Sequence, residues 1–560
     1  MFFSFLRPTT EPGLTFLVAL LVCAAALLWP RGSERMWQMV ERPFSRFATH
    51  KILAVVTTFF GVIAVRVALL PWLQVPTPGI HDEFSYLLLG DTLAHGRLAN
   101  PPHPMWRSFE TFHVLWWPSY ASKYPPAQGA VLAIGQLLGH PWIGVLLSAA
   151  AMCAAIVWML QAWMPGRWAL LAGVLAATKL CVASYWINSY WGGAVAAIAG
   201  AVVLGALGRL LRRPAVWQGI LLGIGIAILA NSRPYEGLIF CIPVGFLLGR
   251  WVIGKTKSGR CWPQPALRVL FPVFVILLAT ILFIGYYNWR VTGNALLLPI
   301  AQASRTYDTP ANFIWQKPAP MMHYNNPEME VFYNEYGREN YLRTWNTLKS
   351  VCAQKLYRCQ IVFTWPGLWL VLPGLFFVYR DRRWRFLLVV LLAVVLAFFA
   401  TTWPNPHYVA PVACILFGVM VQAMRHLRRI SLWKRPIGAA LSRAIVLLLV
   451  IDVAQFAATG YGDPMGWGGG GLWQRVQIQR QLNATPGKHL VIVSYSDTHS
   501  VHEEWVYNGA DIDGSKIVWA RDMGPDVNAQ LVHYFKDRTA WVAEEGPGTV
   551  SLTPYSEDSP

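Results

Sequence analysis

Apolar and polar positions along this chain fall into long hydrophobic runs divided by short polar connections. The runs lie near 14–30, 52–73, 142–163, 168–187, 190–208, 217–230, 237–253, 269–287, 361–379, 386–402, 408–423 and 437–458. A helical run of this kind spans a hydrocarbon core of roughly 30 Å. Residues 1–459 are therefore expected to form an all-α polytopic membrane protein with about twelve transmembrane helices. The first run is expected to be retained as a span, because Pro30-Arg31-Gly32 follows it without a small-residue cleavage pattern.

Beyond residue 459 the apolar bursts shorten. The segments 490–495, 516–520 and 539–543 read as buried strands and 526–535 as a helix, which predicts a small α/β domain over 476–560. The Gly-rich segment 460–475, running through Tyr461 to Gly471, reads as a flexible linker. Its glycines lack the Lys and Ser or Thr of a phosphate-binding loop.

Composition sharpens the membrane reading. Of 560 residues, 55% are hydrophobic and 13% charged, against about a quarter charged in soluble domains. The net charge of +18 would suit a nucleic-acid partner, but its placement does not. Twenty-three of the 46 Lys and Arg cluster in alternate connections: 31–51, Arg167, 209–213, 250–268, 380–385 and 425–435. Short basic connections stay cytoplasmic, so the charge reports topology. The loops 74–141 and 288–360 then lie on the opposite side with the tail. That tail holds seven Lys and Arg against thirteen Asp and Glu.

Five of the eight cysteines, Cys23, Cys153, Cys181, Cys241 and Cys414, lie in apolar runs and read as small apolar groups. Cys352 and Cys359 on one continuous helix stand about 10.5 Å apart, too far for a disulfide without a helix break. His499, His502 and Glu503 in the tail read as a solvated polar loop or a weak metal cluster.

The first outer loop carries the candidate chemistry. Gly79-Ile-His81-Asp82-Glu83-Phe84-Ser-Tyr86 opens an apolar helical stretch. Asp82 suits the N-terminus of that helix as a cap. Neighbouring helical residues point about 100° apart, so one carboxylate of the pair can enter a site while the other braces it. A glycosidase needs two opposed carboxyl groups, whereas transfer from a phosphate-activated donor needs one base and cations for the phosphate. The candidate cations are Lys123, Arg233, Arg290 and His407; Arg233 sits in Asn231-Ser-Arg233-Pro-Tyr235-Glu236, where pairing with Glu236 is the competing role. Arg66 and Lys179 lie inside apolar runs, where a charge must snorkel, pair or line a headgroup cavity. Tyr185-Trp186, Tyr190-Trp191 and Tyr286-Tyr287 are expected to belong to an interfacial aromatic belt, and Gly219 and Gly223 to mark close helix packing.

Asp82-Glu83-x-x-Tyr86 after the second span, a long outer loop, and Lys123-Tyr124-Pro125-Pro126 leading into an apolar helix resemble the GT-C glycosyltransferases. Within them the chain is most similar to the protein O-mannosyltransferase and lipid A aminoarabinose transferase branch, glycosyltransferase family 39. The likeness of spans runs over residues 50–423 and leaves out the tail. It implies a multi-pass protein of the plasma membrane, the inner membrane of a bacterium, with a periplasmic tail. It also implies a polyprenyl-phosphate-linked sugar donor and inverting transfer to a glycan, lipid or protein acceptor.

Asp82 would be the base with Glu83 beside it, Lys123, Arg233, Arg290 and His407 would bind the donor phosphate, and Tyr86, Tyr235 and Glu236 would contact substrate. No residue set for a resident metal is expected, and a divalent cation stays open as a cofactor. Two other classes remain open at this point, a lipid-linked glycan flippase or transporter and a catalytically inactive scaffold.

Overall fold

The computed structural model describes residues 11–30, 34–182, 184–256, 264–340, 344–364, 368–432, 434–459, 472–496, 499–546 and 549–556. The Gly-rich segment 460–471 and the basic residues Arg31, Lys257 and Arg260 lie outside the described residues.

Among the described residues, seven helices are long and apolar enough to cross a membrane: Lys51–Ala68, Pro141–Leu160, Pro234–Gly254, Ala266–Thr292, Arg382–Ala400, Pro406–Leu427 and Ile437–Ala454. Shorter apolar helices cover Leu17–Leu28, Ala194–Leu210 and Val216–Ala230. Each expected run thus overlaps a helix, but several helices are shorter than their runs. The clearest case is 168–187 with 190–208. The first helix stops at Leu180 and the next starts at Ala194, leaving a buried connection instead of a belt.

That connection folds onto itself because Gly192 and Gly193 leave room for Trp186. A Cβ on Gly193 would stand 2.5 Å from the Trp186 ring. Tyr185, Trp186, Tyr190 and Trp191 are all at most 4% exposed, which corrects their assignment to an interfacial belt. Tyr287 is likewise buried, while Tyr286 is exposed. Asn188 stitches the connection by donating to the carbonyls of Val182 and Ser184, and its own Oδ1 accepts from Arg66 at 3.0 Å.

Arg66 also donates to the carbonyls of Leu73 and Gln74, and Lys179 pairs with Asp452 at 2.8 Å. Both intramembrane cations are therefore spent on the protein itself and not on a headgroup cavity. Gly219 packs where a side chain would meet the Val269 carbonyl oxygen at 2.3 Å, the close helix contact that its small size predicts. Cys352 and Cys359 both lie on the helix Trp345–Cys359 and are free thiols.

The tail builds a four-stranded sheet. In chain order, β1 (Val114–Leu115) and β2 (Ala121–Ser122) form a small hairpin in the first loop. The tail supplies β3 (His489–Ser494), β4 (Ile517–Arg521), β5 (Thr539–Gly546) and β6 (Thr549–Pro554). Their order is β4-β3-β5-β6, with β3 parallel to both neighbours and β6 antiparallel at the edge. Helix Pro525–Tyr534 connects β4 to β5. A further helix, Trp473–Ala484, begins inside the segment expected to be linker.

This domain docks on the first loop. Phe84 stacks on Tyr507 at 4.3 Å with rings 2° from parallel. Asp91 accepts from the Ala510 amide at 2.6 Å and from Gln136 at 2.7 Å, and Tyr120 donates to the carbonyls of Asn508 and Gly509. Arg521 pairs with Glu504 inside the domain and joins it to the second loop through an ion pair with Glu328. Arg521 and Glu504 are 3% and 1% exposed, so the guanidinium is the counter-charge that makes burying the carboxylate tolerable. Arg521→Met should therefore destabilise the domain by about 3–5 kcal/mol, read as faster hydrogen exchange across β3 and β4. Unchanged exchange there would show that the apolar contacts alone hold it.

Candidate active site

The helix His81–Ala94 opens with Ile80 in extended conformation and two acidic residues in its first turn. Helix N-termini leave backbone N–H groups without intrahelical partners, and Glu83 takes two carboxylate bonds from this region. Its Oε2 accepts from the amides of Gly79 and Ile80 at 2.8 and 3.2 Å. Its Oε1 accepts from the Tyr190 amide at 3.0 Å. Glu83 is 1% exposed; burial raises its pKa, and the Gly79, Tyr190 and Ile80 amides oppose the rise.

Asp82, one position earlier, faces another way. Tyr124 donates its phenol hydrogen to Oδ1, and the His113 Nε2 stands 3.9 Å from Oδ2. The Asp82 side chain keeps 26% of its surface accessible, so a small group can reach it. Burial pushes its pKa up, while the Lys123 charge, the Tyr124 bond and the Arg233 charge pull it back. Tyr124 is held in place by stacking on Tyr86 at 4.2 Å.

Arg233 packs its guanidinium over the Tyr408 ring at 4.9 Å. Lys123 lies 5.4 Å from the Tyr124 ring. Among the described residues neither cation forms an ion pair within 4 Å. The local Arg233–Glu236 bridge is thus not formed, although Glu236 is buried nearby. Asp82, Tyr86, Tyr124, Arg233, Glu236 and Tyr408 share one electrostatic neighbourhood.

The other sequence candidates are placed less centrally. Tyr235 points toward the Ala397 carbonyl and the Phe313 ring. His407 is 1% exposed, its Nδ1 3.0 Å from the Tyr185 hydroxyl and its ring 4.6 Å from that of Trp191. Arg290 is exposed over Trp289, and no described interaction ties it to Asp82.

Three further residues stand out: His113 and Lys355, which carry no sequence signal, and His81, which precedes Asp82 in the Gly79–Tyr86 segment. His113 has a left-handed backbone, φ 65°, and its carbonyl accepts from the Ser85 hydroxyl and the Lys123 amide. This holds the His113 ring beside Asp82. His81 stacks on Phe112 at 3.9 Å. Burial pushes the pKa of both imidazoles well below the ordinary histidine range, so both stay neutral.

The third is Lys355, 1% exposed, which donates to the carbonyls of Phe398 and Thr401 at 2.7 and 2.5 Å. Burial pulls its pKa down to about 8. In the tail, His499 is bound to Glu545 at 2.7 Å and His502 packs against Tyr336. Among the described residues no group of three or more His, Cys, Asp or Glu converges on one point.

No family model matches the chain, and no curated protein matches it. Solved structures are similar over most of its length. An oligosaccharyltransferase from Archaeoglobus fulgidus, in complex with Zn and sulfate, is 13% identical with a TM-score of 0.49, covering 88% of this chain and 68% of that one. ArnT from Cupriavidus metallidurans, bound to undecaprenyl phosphate, is 13% identical with a TM-score of 0.47, covering 86% and 92%. The arabinofuranosyltransferase AftD from Mycobacteria is 14% identical with a TM-score of 0.42, covering 87% and 35%.

The two acidic residues should separate by stability. Glu83→Gln turns an amide –NH₂ toward backbone donors and should cost about 1–3 kcal/mol, whereas Asp82→Asn keeps an Oδ1 that accepts from Tyr124 and should change the unfolding free energy by less than about 1 kcal/mol. Equal melting shifts for the two variants would reject the assignment of Glu83 as the brace.

Proposed function

We propose that this protein moves a sugar from a polyprenyl-phosphate donor to a hydroxyl- or amine-bearing acceptor outside the cytoplasm, with inversion at the anomeric carbon. The observation that carries this reading is the accessible Asp82 carboxylate beside two cations, Lys123 and Arg233, that form no ion pair among the described residues. A carboxylate with cations in reach matches the needs of transfer from a phosphate ester: a base for the acceptor and positive charge for the leaving group.

In the step, Asp82 takes the proton from the acceptor. The acceptor oxygen or nitrogen forms its bond to the anomeric carbon as the bond to the phosphate oxygen breaks. The electron pair leaves on the phosphate, where Arg233 and Lys123 neutralise it. Glu83 positions Asp82 through the backbone, Tyr124 holds the carboxylate by its hydrogen bond, and Tyr86 and Glu236 border the acceptor space. Arg290 and Tyr235 lie outside this core, and His407 supports it from behind Tyr185. The tail domain, which stacks Tyr507 on Phe84 and lays His502 at 6.2 Å from His81, forms a wall that selects the acceptor.

Transport fits less well, because a transport path calls for polar groups near the bilayer midplane. The intramembrane cations Arg66 and Lys179 are already bound to Asn188 and Asp452.

The test uses the reconstituted full chain with a panel of polyprenyl-phosphate pentoses and hexoses, reading release of polyprenyl phosphate. Asp82→Asn should lower turnover by about 100-fold or more; near-normal turnover would return Asp82 to a capping role. Asp82 works ionised, so activity falls as pH drops through its pKa. Tyr124→Phe removes a bond that favours the ionised form, and the acid limb should move to higher pH; an unmoved limb would place the base elsewhere.

A further inference from the structure

The helix Pro141–Leu160 runs from the buried connection at the active site, where Trp142 donates to the Ile187 carbonyl, to a second feature about 30 Å away. At its far end the chain turns through 161–165, and there a cavity of about 270 Å³ opens. Three arginines from three different segments line it: Arg212 after the helix Ala194–Leu210, Arg383 in the first turn of Arg382–Ala400, and Arg425 in the last turn of Ala413–Leu427. Trp163 and Met164 supply an apolar wall.

The charge in this cavity is unbalanced. Its one lining acid, Asp381, spends its oxygens on the Arg383 amide at 3.0 Å and on Gln422 at 3.1 Å. None of the three arginines forms an ion pair among the described residues. Around Arg425, Asp381 supplies one opposing charge, while Arg429, Arg167 and Arg383 add positive charge. Two other arginines on this face are paired: Arg428 binds Glu41 through both nitrogens at 2.8 and 2.9 Å, and Arg443 binds Glu34 and Glu41.

Arg212 gives Nη2 to the Ala162 carbonyl and Arg425 gives Nη1 to Gln422 Oε1 at 3.4 Å; the guanidinium donors that remain suit the oxygens of a phosphate. Basic pockets between helices at the cytoplasmic surface are where acidic lipid headgroups dock. The volume lies just below the roughly 300 Å³ at which drug-sized sites begin, enough for a phosphodiester and its glycerol.

We propose that this cavity is a second, non-catalytic site that binds the phosphodiester headgroup of an anionic phospholipid on the membrane face opposite Asp82. The bound headgroup bridges Arg212, Arg383 and Arg425 and so ties the helices Ala194–Leu210, Arg382–Ala400 and Ala413–Leu427 together at that face. Trp163 and Met164 border the glycerol, and the acyl chains run along the apolar helix surfaces beside the cavity. The proposal is independent of the reaction at Asp82, since the two sites share no residue.

The experiment purifies the full chain in detergent, strips it, and titrates it with phosphatidylglycerol, phosphatidylcholine or inorganic phosphate, reading the melting temperature and bound lipid by native mass spectrometry. Phosphatidylglycerol should bind and stabilise wild type, and Arg212→Gln/Arg425→Gln should weaken binding at least fivefold. Arg35→Gln/Arg42→Gln, which removes equal charge from an exposed helix outside the cavity, should bind as wild type. Asp381→Asn keeps a capping oxygen while removing the one negative charge among the described lining residues, so it should bind more tightly, a gain that misfolding does not produce.

Equal loss in the two double variants, or no change in the cavity variant, would overturn the site. Weaker binding in Asp381→Asn than in wild type would also count against it. Stabilisation by inorganic phosphate equal to that by phosphatidylglycerol would make it a phosphate site and overturn the lipid assignment.

Discussion

The geometry of the candidate site hangs on the Glu83 carboxylate. Two of its bonds go back to the amides of Gly79 and Ile80 at the start of its own helix, and the third crosses to the Tyr190 amide in the buried connection between two apolar helices. Glu83 thereby joins the first outer loop to the membrane core, beside further ties such as Gln128 to the Tyr190 carbonyl and the Tyr190 hydroxyl to the Pro76 carbonyl. Because successive helical positions diverge by about 100°, bracing Glu83 inward leaves Asp82 turned toward Tyr124, His113 and the two cations. A carboxylate in the fully buried position would be too shielded to serve an acceptor. The one that stays partly accessible is free to do so.

From that anchor the loop extends outward into a platform on which the tail domain rests. The same helix that bears Asp82 in its first turn carries Phe84 under Tyr507 and, further along, Asp91 under the Ala510 amide. One short helix therefore reports to the membrane core at its first turn and to the tail domain along its length. The Arg521 ion pairs extend the contact to the second loop, so both loops and the tail close around one neighbourhood. This arrangement sets the tail domain against the neighbourhood of Asp82 by way of Phe84 and Asp91.

Long apolar runs were readable because a membrane-crossing helix must be apolar nearly all round, a signal that needs no tertiary context. The same logic failed at 184–193, where an apolar and aromatic sequence is not helical: Trp186 and the Gly192-Gly193 pair let the chain turn inside the protein. The Asp82-Glu83 pair was visible as a helix start, and its division into a brace and a partly accessible carboxylate follows from helical geometry.

His113 and Lys355 were invisible, since one depends on a left-handed backbone and the other on carbonyls more than forty residues away. The helix Trp473–Ala484 escaped because its buried face includes Gln474 and Arg475 beside Ile478 and Leu482, which blurs the apolar stripe. Arg233 was open between two roles in the sequence; its lack of a bridge to Glu236 is a matter of three-dimensional distance.

The central claim is that Arg233 at the Asp82 cluster, and not Arg290, holds a lipid-linked phosphate. Direct binding of polyprenyl phosphate to the reconstituted protein, compared between wild type, Arg233→Gln and Arg290→Gln, tests it without requiring the sugar to be known. Losing a charged hydrogen bond should weaken binding roughly tenfold or more in Arg233→Gln, with Arg290→Gln indistinguishable from wild type. Undiminished affinity in Arg233→Gln, or a loss confined to Arg290→Gln, would contradict the placement of the donor phosphate at this site.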